Sequence, residues 1–248
     1  MVETGFIVII LFSFGAAIGS FLHVVGERYG TGTSFAKGNS FCLTCKKTLT
    51  ASETIPIISF CLSGARCRGC KAEIPVSYPM AELLTGFLAV ALLYSGNILL
   101  FIAACFLVVL IRIDSRLMLL PDVYVYLLTG ISIAYAWRVN TDFTDIVFGM
   151  LVGTVALYLL WISTGGRGIG FGDVKLMIPL GILFGFQGIV TLLFFAFVAG
   201  GLVSVFLLAC GRVTPKTAIP FGPFLAGAAL LIMVFPGLTN LFFMFLGV

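Results

Sequence analysis

Long stretches without a charged residue constrain the fold of this sequence more than any other feature. Residues 4–26 contain no Asp, Glu, Lys or Arg, and five further charge-free runs follow. These are residues 83–111, 123–137, 146–166, 176–211 and 217–248. A helix needs about 20 apolar residues to cross the hydrocarbon core of a bilayer. The pattern therefore predicts an all-α, polytopic membrane helix bundle.

Two of these runs are too long for one ordinary span, and each has a turn signal near its middle. The signals are Ser95-Gly96-Asn97 and Gly185-Phe186-Gln187-Gly188. Splitting both runs predicts about eight transmembrane helices. They lie near residues 5–25, 80–94, 98–113, 123–139, 144–163, 174–185, 188–210 and 221–245. Because Pro236 interrupts the last run, a ninth element is possible there.

Composition excludes several other classes of protein. Only 10% of the residues are charged, whereas a soluble domain carries about 25%. The apolar runs do not alternate with polar residues as the strands of a membrane β-barrel do. The single histidine, His23, excludes an H-E-x-x-H zinc protease helix. We expect no nucleic-acid partner. The expected partner is the lipid bilayer.

The basic residues predict the orientation of the chain. With the N-terminus outside, segments 26–78, 112–122, 164–175 and 211–217 face the cytoplasm and carry 13 of the 14 Lys and Arg residues, as the positive-inside rule requires. Only Arg138 falls outside. The thirteen are Arg28, Lys37, Lys46, Lys47, Arg66, Arg68, Lys71, Arg112, Arg116, Arg167, Lys175, Arg212 and Lys216.

Two C-x-x-C pairs stand in the first cytoplasmic segment. They are formed by Cys42 and Cys45 and by Cys67 and Cys70, with 21 residues between the pairs. Two such pairs match a tetrahedral Cys₄ zinc site, which leaves no open position for catalysis. Disulfides or free thiols are the alternative, and the reducing cytoplasm argues against disulfides. The chain thus divides into a first transmembrane helix (1–26), a cytoplasmic zinc-binding insert (27–78) and a transmembrane catalytic bundle (79–248).

Three acidic residues are candidates for chemistry. Asp114, Asp122 and Asp173 lie at predicted cytoplasmic ends of spans, where an ionisable group marks function more often than it does on a surface. Two carboxyl groups held close together share a proton, as in aspartic proteases. Alternatively, each Asp is a helix cap or a partner of Arg116 or Lys175. Asp142 and Asp145, in outer loops, are expected to be merely solvated.

Motifs throughout the chain occur in a specific order and spacing. The motifs are Gly19-Ser20-Phe21-Leu22-His23-Val24-Val25, Cys42-x-x-Cys45, Ile55-Pro56-Ile57-Ile58-Ser59, Arg66-Cys67-Arg68-x-Cys70, Tyr78-Pro79-x-x-Glu82-Leu83-Leu84-Thr85, Asp114…Leu120-Pro121-Asp122, Gly170-Phe171-Gly172-Asp173-Val174-Lys175 and Ile219-Pro220-Phe221-Gly222-Pro223-Phe224-Leu225. Together they resemble a known family, the bacterial type IV prepilin peptidases, which are membrane aspartic proteases of the Gly-x-Gly-Asp class.

The resemblance implies a bifunctional enzyme of the bacterial inner membrane. Such an enzyme cuts prepilins and pseudopilins on the cytoplasmic side, after the glycine that ends a basic leader. It then methylates the new N-terminal residue, often Phe, with S-adenosylmethionine. The family's catalytic aspartates match Asp114 and Asp173, with Asp122 as an alternative partner. Glu82 matches a family glutamate and is a candidate for the cofactor site, although a helix-end anchor explains it equally well.

One residue departs from the family pattern, and two other functions are alternatives. His23 stands where the family usually has Asn, and we interpret it as a hydrogen-bonding residue near the interface. The chain can instead be a non-catalytic transporter or scaffold with a zinc-stabilised insert, in which the aspartates bind ions or protons. A third interpretation is a protease without methyltransferase activity. The sequence does not identify the particular prepilin or the oligomeric state.

Overall fold

The computed structural model describes residues 2–31, 40–42, 44–166, 168–214 and 217–247. Three of the basic residues from which the orientation was predicted lie outside the described residues. They are Lys37, Arg167 and Lys216. Within the described ranges the chain is helical, with two isolated β-bridges and a 3₁₀ turn at Ala51–Glu53. The α-helices are α1 Val2–Arg28, α2 Ile58–Leu62, α3 Ser77–Tyr94, α4 Ile98–Leu117, α5 Asp122–Val139, α6 Phe143–Ser163, α7 Phe171–Ala209, α8 Gly222–Val234 and α9 Gly237–Leu246.

The all-α membrane architecture is confirmed. In the described part of the chain, α1, α3, α4, α6 and α7 are long and apolar enough to cross a bilayer. A sixth span results if α8 and α9, bent by 103° at Pro236, form one broken element. Each of the eight predicted helices has a helical counterpart. The count of eight spans stays a prediction.

Both predicted breaks are present. Helix α3 ends at Tyr94, Gly96 has a φ of +76°, and α4 begins at Ile98. The second break lies inside α7, where Gly185 adopts a φ of 64° and a ψ of −169°. That conformation is essentially restricted to glycine, so this residue permits the kink.

The kink corrects our expectation for Asp145. A break in a membrane helix leaves backbone N–H groups without their usual acceptor. The Oδ1 atom of Asp145, in the first turn of α6, accepts the backbone N–H of Phe186 at 2.9 Å. Asp145 is therefore a structural acceptor for α7 and is not merely solvated.

The chain divides into two compact units, Met1–Phe101 and Ile102–Val248. In the first unit, α1 packs along α3, with the rings of Phe12 and Phe87 5.4 Å apart in an edge-on arrangement. His23 is buried in this unit, with Nε2 3.5 Å from Ser77 Oγ and 3.7 Å from Glu27 Oε1. His23 therefore has a hydrogen-bonding contact, as expected, and its position near the membrane interface stays a prediction.

In the second unit, α7 packs against α5, α6 and α8. Its buried side chains make it the centre of this unit, and they include Leu176, Met177, Leu180, Ile189 and Leu192. The N-terminal end of α7 carries Asp173, and the C-terminal end of α4 carries Asp114. The packing of this unit therefore decides where the two candidate aspartates lie.

Candidate active site and metal site

The glycine-rich loop before α7 fixes Asp173. Gly170 is the N-cap residue of α7, and its backbone N–H donates to Oδ2 of Asp173 at 3.2 Å. An acidic residue in the first turn is also stabilised by the partial positive charge of the helix N-terminus. The side chain is only 5% exposed. The loop therefore holds a buried carboxyl group in one orientation.

Asp114 is held in the last turns of α4. Its backbone carbonyl accepts the N–H of Met118 at 2.9 Å, and Met118 has a φ of +51°, which ends the helix. The Asp114 side chain is 5% exposed, and within the described residues its Oδ2 atom is buried without a hydrogen-bond partner. A buried carboxylate oxygen without a partner is costly, so this atom is a candidate for contact with a ligand or water.

Gly222, the first residue of α8, brings the two carboxyl groups together. A Cβ atom on Gly222 would stand 2.6 Å from Oδ2 of Asp114 and 3.3 Å from Oδ1 of Asp173. The backbone N–H of Gly222 also faces the Asp114 carboxylate. Asp114 and Asp173 thus both lie against Gly222, and they are close enough to repel each other when both are ionised.

A cavity of about 310 Å³ opens beside the two carboxyl groups. This volume is at the lower end of the range for ligand pockets in proteins. Besides Asp114 and Asp173, the cavity is lined by residues of the α4–α5 connection and of the start of α7. They are Met118, Leu119, Leu120, Gly170, Phe171, Gly172 and Lys175.

Asp122 lies apart from this convergence. Its side chain is 52% exposed, and Oδ1 forms an ion pair with Nζ of Lys175. Asp122 is the first residue of α5 and does not line the cavity. The structure therefore pairs the third candidate acid with a lysine. Of the three candidate acids, Asp114 and Asp173 are the two that line the cavity.

The four cysteines of the two C-x-x-C pairs meet in the first unit. The Sγ atoms of Cys42, Cys45, Cys67 and Cys70 all lie within 4.8 Å of one another, and those of Cys42 and Cys70 are 3.8 Å apart. A tetrahedral zinc ion with Zn–S bonds of about 2.3 Å separates its sulfurs by roughly 3.8 Å. The cluster can hold a metal ion of this kind.

The two pairs lie in turns of the same design. In the first, the Cys42 N–H donates to Lys47 O and the Lys46 N–H to Cys42 O, both at 2.9 Å. In the second, the Cys67 N–H donates to Ala72 O and the Lys71 N–H to Cys67 O, again at 2.9 Å. A residue of positive φ, Lys46 or Lys71, follows each pair. The matching turns present two sulfurs each to a common centre.

The thiols of this cluster differ in acidity. Backbone N–H groups of Cys45 and Thr44 lower the pKa of the Cys42 thiol to about 6. The backbone N–H of Ala72 acts in the same direction on Cys70, but burial and the neighbouring thiols outweigh it and raise that pKa to about 11. Such divergence is expected when several ionisable groups share one site.

Glu82 belongs to the first unit and is buried, with 7% of its surface exposed. Its Oε2 atom accepts the backbone N–H of Ile57 at 2.7 Å. Ile57 has a φ of +64°, an unfavourable conformation for a β-branched residue. Glu82 therefore anchors a strained turn of the insert to α3, and its Oε1 atom does not take part in that bond.

Two contributors to these sites were not assigned from the sequence. Gly222 lies in the motif at residues 219–225, but nothing in that motif indicates that it faces Asp114. Ile57 likewise gives no sign that its N–H is bound by Glu82. The sequence signal at Gly222 is the proline that follows it. Proline is favoured in the first turn of a helix, so this pair marks a helix start.

Two family models match this chain. The Bacterial Peptidase A24 N-terminal domain matches residues 13–95, and the Type IV leader peptidase family matches residues 101–205. The Prepilin leader peptidase/N-methyltransferase of Bacillus subtilis (strain 168) is 31% identical over 228 residues, or 90% of this chain and 92% of that protein.

Two further relatives carry the same name. The Aeromonas hydrophila protein is 34% identical over 197 residues, which cover 75% of this chain and 68% of the relative. The Myxococcus xanthus (strain DK1622) protein is 34% identical over 221 residues, covering 84% and 66%. No solved structure matches the chain significantly. Since the alignment to the B. subtilis relative spans nearly all of both chains, this chain belongs to the type IV leader peptidase family.

Proposed function

We propose that this chain is a membrane aspartic endopeptidase that removes the leader of type IV prepilins or pseudopilins, with Asp114 and Asp173 as its catalytic pair. The observation that carries the proposal is the convergence of two buried carboxyl groups on Gly222 beside a cavity. The names of the relatives supply the substrate class, because each is a prepilin leader peptidase/N-methyltransferase.

The chemistry follows from the closeness of the two carboxyl groups. Two carboxylates held together cannot both ionise easily, so the pair carries one proton. The ionised member accepts a proton from a water molecule as that water attacks the scissile carbonyl. The protonated member donates a hydrogen bond to the carbonyl oxygen, where negative charge develops. The unpartnered Oδ2 atom of Asp114 is one place where such a water or carbonyl can bind.

The orientation in the membrane completes the proposal. We place the insert and the two aspartates on the cytoplasmic side of the bacterial inner membrane, because the basic residues concentrate in the same segments. The leader would then be cut after its terminal glycine at the cytoplasmic surface. The lipid bilayer is the second partner of the chain.

We also propose that the chain methylates the new N-terminal residue. S-adenosylmethionine would supply the methyl group, as the N-methyltransferase part of the relatives' name suggests. Glu82 is our candidate for a cofactor-site residue, because it is a buried carboxylate with one oxygen outside its bond to Ile57. Glu82→Gln keeps an acceptor for Ile57 but removes the charge. It should lower methyl transfer while cleavage continues, and unchanged methyl transfer would remove Glu82 from the cofactor site.

Zinc in the Cys₄ cluster is proposed as a structural ion. The insert has few large apolar side chains, so metal binding would provide much of its folding free energy. Cys45→Ser should lower the bound zinc measured by mass spectrometry and make the insert more sensitive to protease. Cys61→Ser is the matched control, because Cys61 is exposed and lies outside the cluster. A wild-type protein without bound zinc would contradict the proposal.

A cleavage assay tests the peptidase directly. Purified full-length chain in detergent is mixed with a full-length prepilin, and mass spectrometry reads the cut site and any added methyl group. Asp114→Asn and Asp173→Asn should each slow cleavage by about 10²–10⁴-fold, the usual contribution of an acid or base catalyst. Retained cleavage in both variants would overturn the pair. Ion flux in proteoliposomes without any cleavage would favour the transporter instead.

A further inference from the structure

One segment of the insert exposes apolar side chains that neither the cleavage chemistry nor the metal site uses. Helix α2 presents Ile58 and Leu62, four residues apart on the same side, with exposed fractions of 56% and 73%. Ile55, in the turn before α2, is 45% exposed. We call these three residues the α2 face. Neighbouring apolar side chains that stay exposed are a candidate contact surface.

The α2 face is held at the level of the two long helices of the first unit. The backbone N–H of Ile57, the residue before α2, donates to Oε2 of Glu82 in α3 at 2.7 Å. Glu82 is level with Gly19 of α1, because a Cβ on Gly19 would stand 3.0 Å from the Cα of Glu82. From Gly19, α1 continues to Arg28, about 13 Å further along its axis. Because a glutamate side chain is much shorter than this distance, α2 begins beside α1 and α3 and not beyond their ends.

Apolar side chains of α1 and α3 are themselves exposed at this level. Phe21 of α1 is 51% exposed and Met80 of α3 is 63% exposed, and both helices are long and apolar enough to cross a bilayer. Phe21 is two residues from Gly19, and Met80 is two residues from Glu82, so each lies within about one helical turn of the level of Ile57. Lipid surrounds a membrane helix where such side chains are exposed. The bilayer is therefore the partner that the α2 face meets at its own depth.

The charge beside the α2 face favours an anionic membrane surface. The chain after α2 is tied back to the helix, since the N–H of Ala65 donates to the carbonyl of Phe60 at 3.0 Å. Arg66 follows directly and is exposed, as is Arg68. Residues 40–76 contain five basic residues and two acidic ones. Basic residues next to an interfacial apolar segment attract anionic phospholipid.

We propose that the α2 face docks the insert on the bilayer surface, with its apolar side chains at the boundary between acyl chains and headgroups and with Arg66 and Arg68 on anionic phospholipid. Segments of this kind lie in the plane of the interface, about 5–10 Å deep. The docking adds a second attachment of the insert to the membrane, besides the two helices that flank it. It concerns the first unit alone and does not depend on the peptidase.

A fluorescence experiment on the full-length chain in lipid nanodiscs tests this contact. Leu62→Trp and Ile58→Trp each add one tryptophan to the two natural ones, Trp137 and Trp161, and phospholipids brominated on their acyl chains quench a nearby indole. Thr48→Trp is the matched control, because Thr48 is an exposed position of the insert in the first C-x-x-C turn and lies outside the α2 face. Subtracting the wild-type signal in the same lipid leaves the fluorescence of the added tryptophan.

We expect brominated phosphatidylglycerol to remove most of the added fluorescence at both α2 positions and little of it in Thr48→Trp. Arg66→Gln and Arg68→Gln, combined with Leu62→Trp, should weaken the quenching in phosphatidylglycerol but not in neutral phosphatidylcholine, because only the anionic surface attracts these arginines. Asp114→Asn should change none of these values, so a failure of the docking is distinguishable from a failure of the peptidase.

Three results would overturn the inference. The first is no quenching at either α2 position, and the second is equal quenching in Leu62→Trp and Thr48→Trp. The third is an added tryptophan at position 62 that aqueous iodide quenches freely until a prepilin is supplied, which would assign the α2 face to the substrate. An unchanged signal in the arginine variant would remove the anionic headgroups from the contact.

Discussion

Gly222 lies against the carboxyl group of Asp114, with room for a hydrogen atom and none for a methyl group. A Cβ at this position would stand 2.6 Å from Oδ2 of Asp114, well inside normal contact distance. Asp173 is the second neighbour, at 3.3 Å. The absence of a side chain at the start of α8 is therefore what allows the two carboxyl groups to meet.

Gly222→Ala should impair catalysis more than stability. The new methyl group would displace the Asp114 carboxyl group, and a misplacement of about 1 Å costs on the order of 10²-fold in rate. We expect kcat for prepilin cleavage to fall by about that factor, with a small change in KM. Steady-state kinetics on the full-length chain measure it.

Gly227→Ala is the control for this substitution. Gly227 lies on the same helix, and a Cβ there meets nothing within 4 Å. Alanine is favoured over glycine in a helix by up to about 1 kcal/mol, so this variant should be as active as wild type and equally or more stable. If Gly222→Ala and Gly227→Ala have the same kcat, the contact with Asp114 has no role in the reaction.

Asp122→Asn separates the third acid from the catalytic pair. Asp122 is half-exposed and paired with Lys175, and exposed ion pairs contribute about 0–1 kcal/mol. We expect kcat to fall less than about tenfold, far less than for Asp114→Asn, measured side by side in the cleavage assay. A loss as large as that of Asp114→Asn would make Asp122 the partner of one of the other two aspartates.

The sequence predicted the elements of this molecule better than their contacts. Helices follow from apolar runs and end where glycine or proline cannot continue them, so the break at Ser95-Gly96-Asn97 and the kink at Gly185 were visible in advance. The Cys₄ cluster was predictable because each C-x-x-C turn sets two sulfurs by local geometry. Asp114 and Asp173 stood out because carboxyl groups are rare beside long apolar runs.

Relationships between distant segments were not predictable in this way. Gly222 at the start of α8 faces Asp114 near the end of α4, and these two segments are distant in the sequence. Asp145 was expected to be solvated, because a loop acid beside a span carries no local sign of a partner. Its acceptor role appears only when the start of α6 is packed beside the kink of α7. Both contacts depend on tertiary packing, which no single segment of the sequence specifies.

Asp145→Ala should destabilise the second unit. The backbone N–H of Phe186 would lose a charged acceptor, and leaving such a group unsatisfied costs about 1–3 kcal/mol. We expect a lower temperature of unfolding in detergent and a smaller decrease for Asp145→Asn, whose amide oxygen still accepts. Asp142→Ala is the control, because Asp142 makes no side-chain capping bond at the start of α6. If all three variants unfold at the same temperature, the bond from Phe186 to Asp145 does not stabilise the second unit.

Glu53 should make the stability of the insert depend on pH. Its carboxylate accepts the backbone N–H of Thr50 at 3.0 Å and pairs with Lys47 at 3.1 Å, and these contacts lower its pKa from 4.5 to about 2. A carboxyl group with a lowered pKa stabilises the folded state above its unfolded pKa, and this contribution is lost as the pH falls from about 4.5 towards 2. Protease sensitivity of the insert in wild type and Glu53→Gln measures it. The two proteins should differ most near neutral pH and converge as the pH approaches about 2, and a difference that is constant across this range would show that the ionised carboxylate is not the cause.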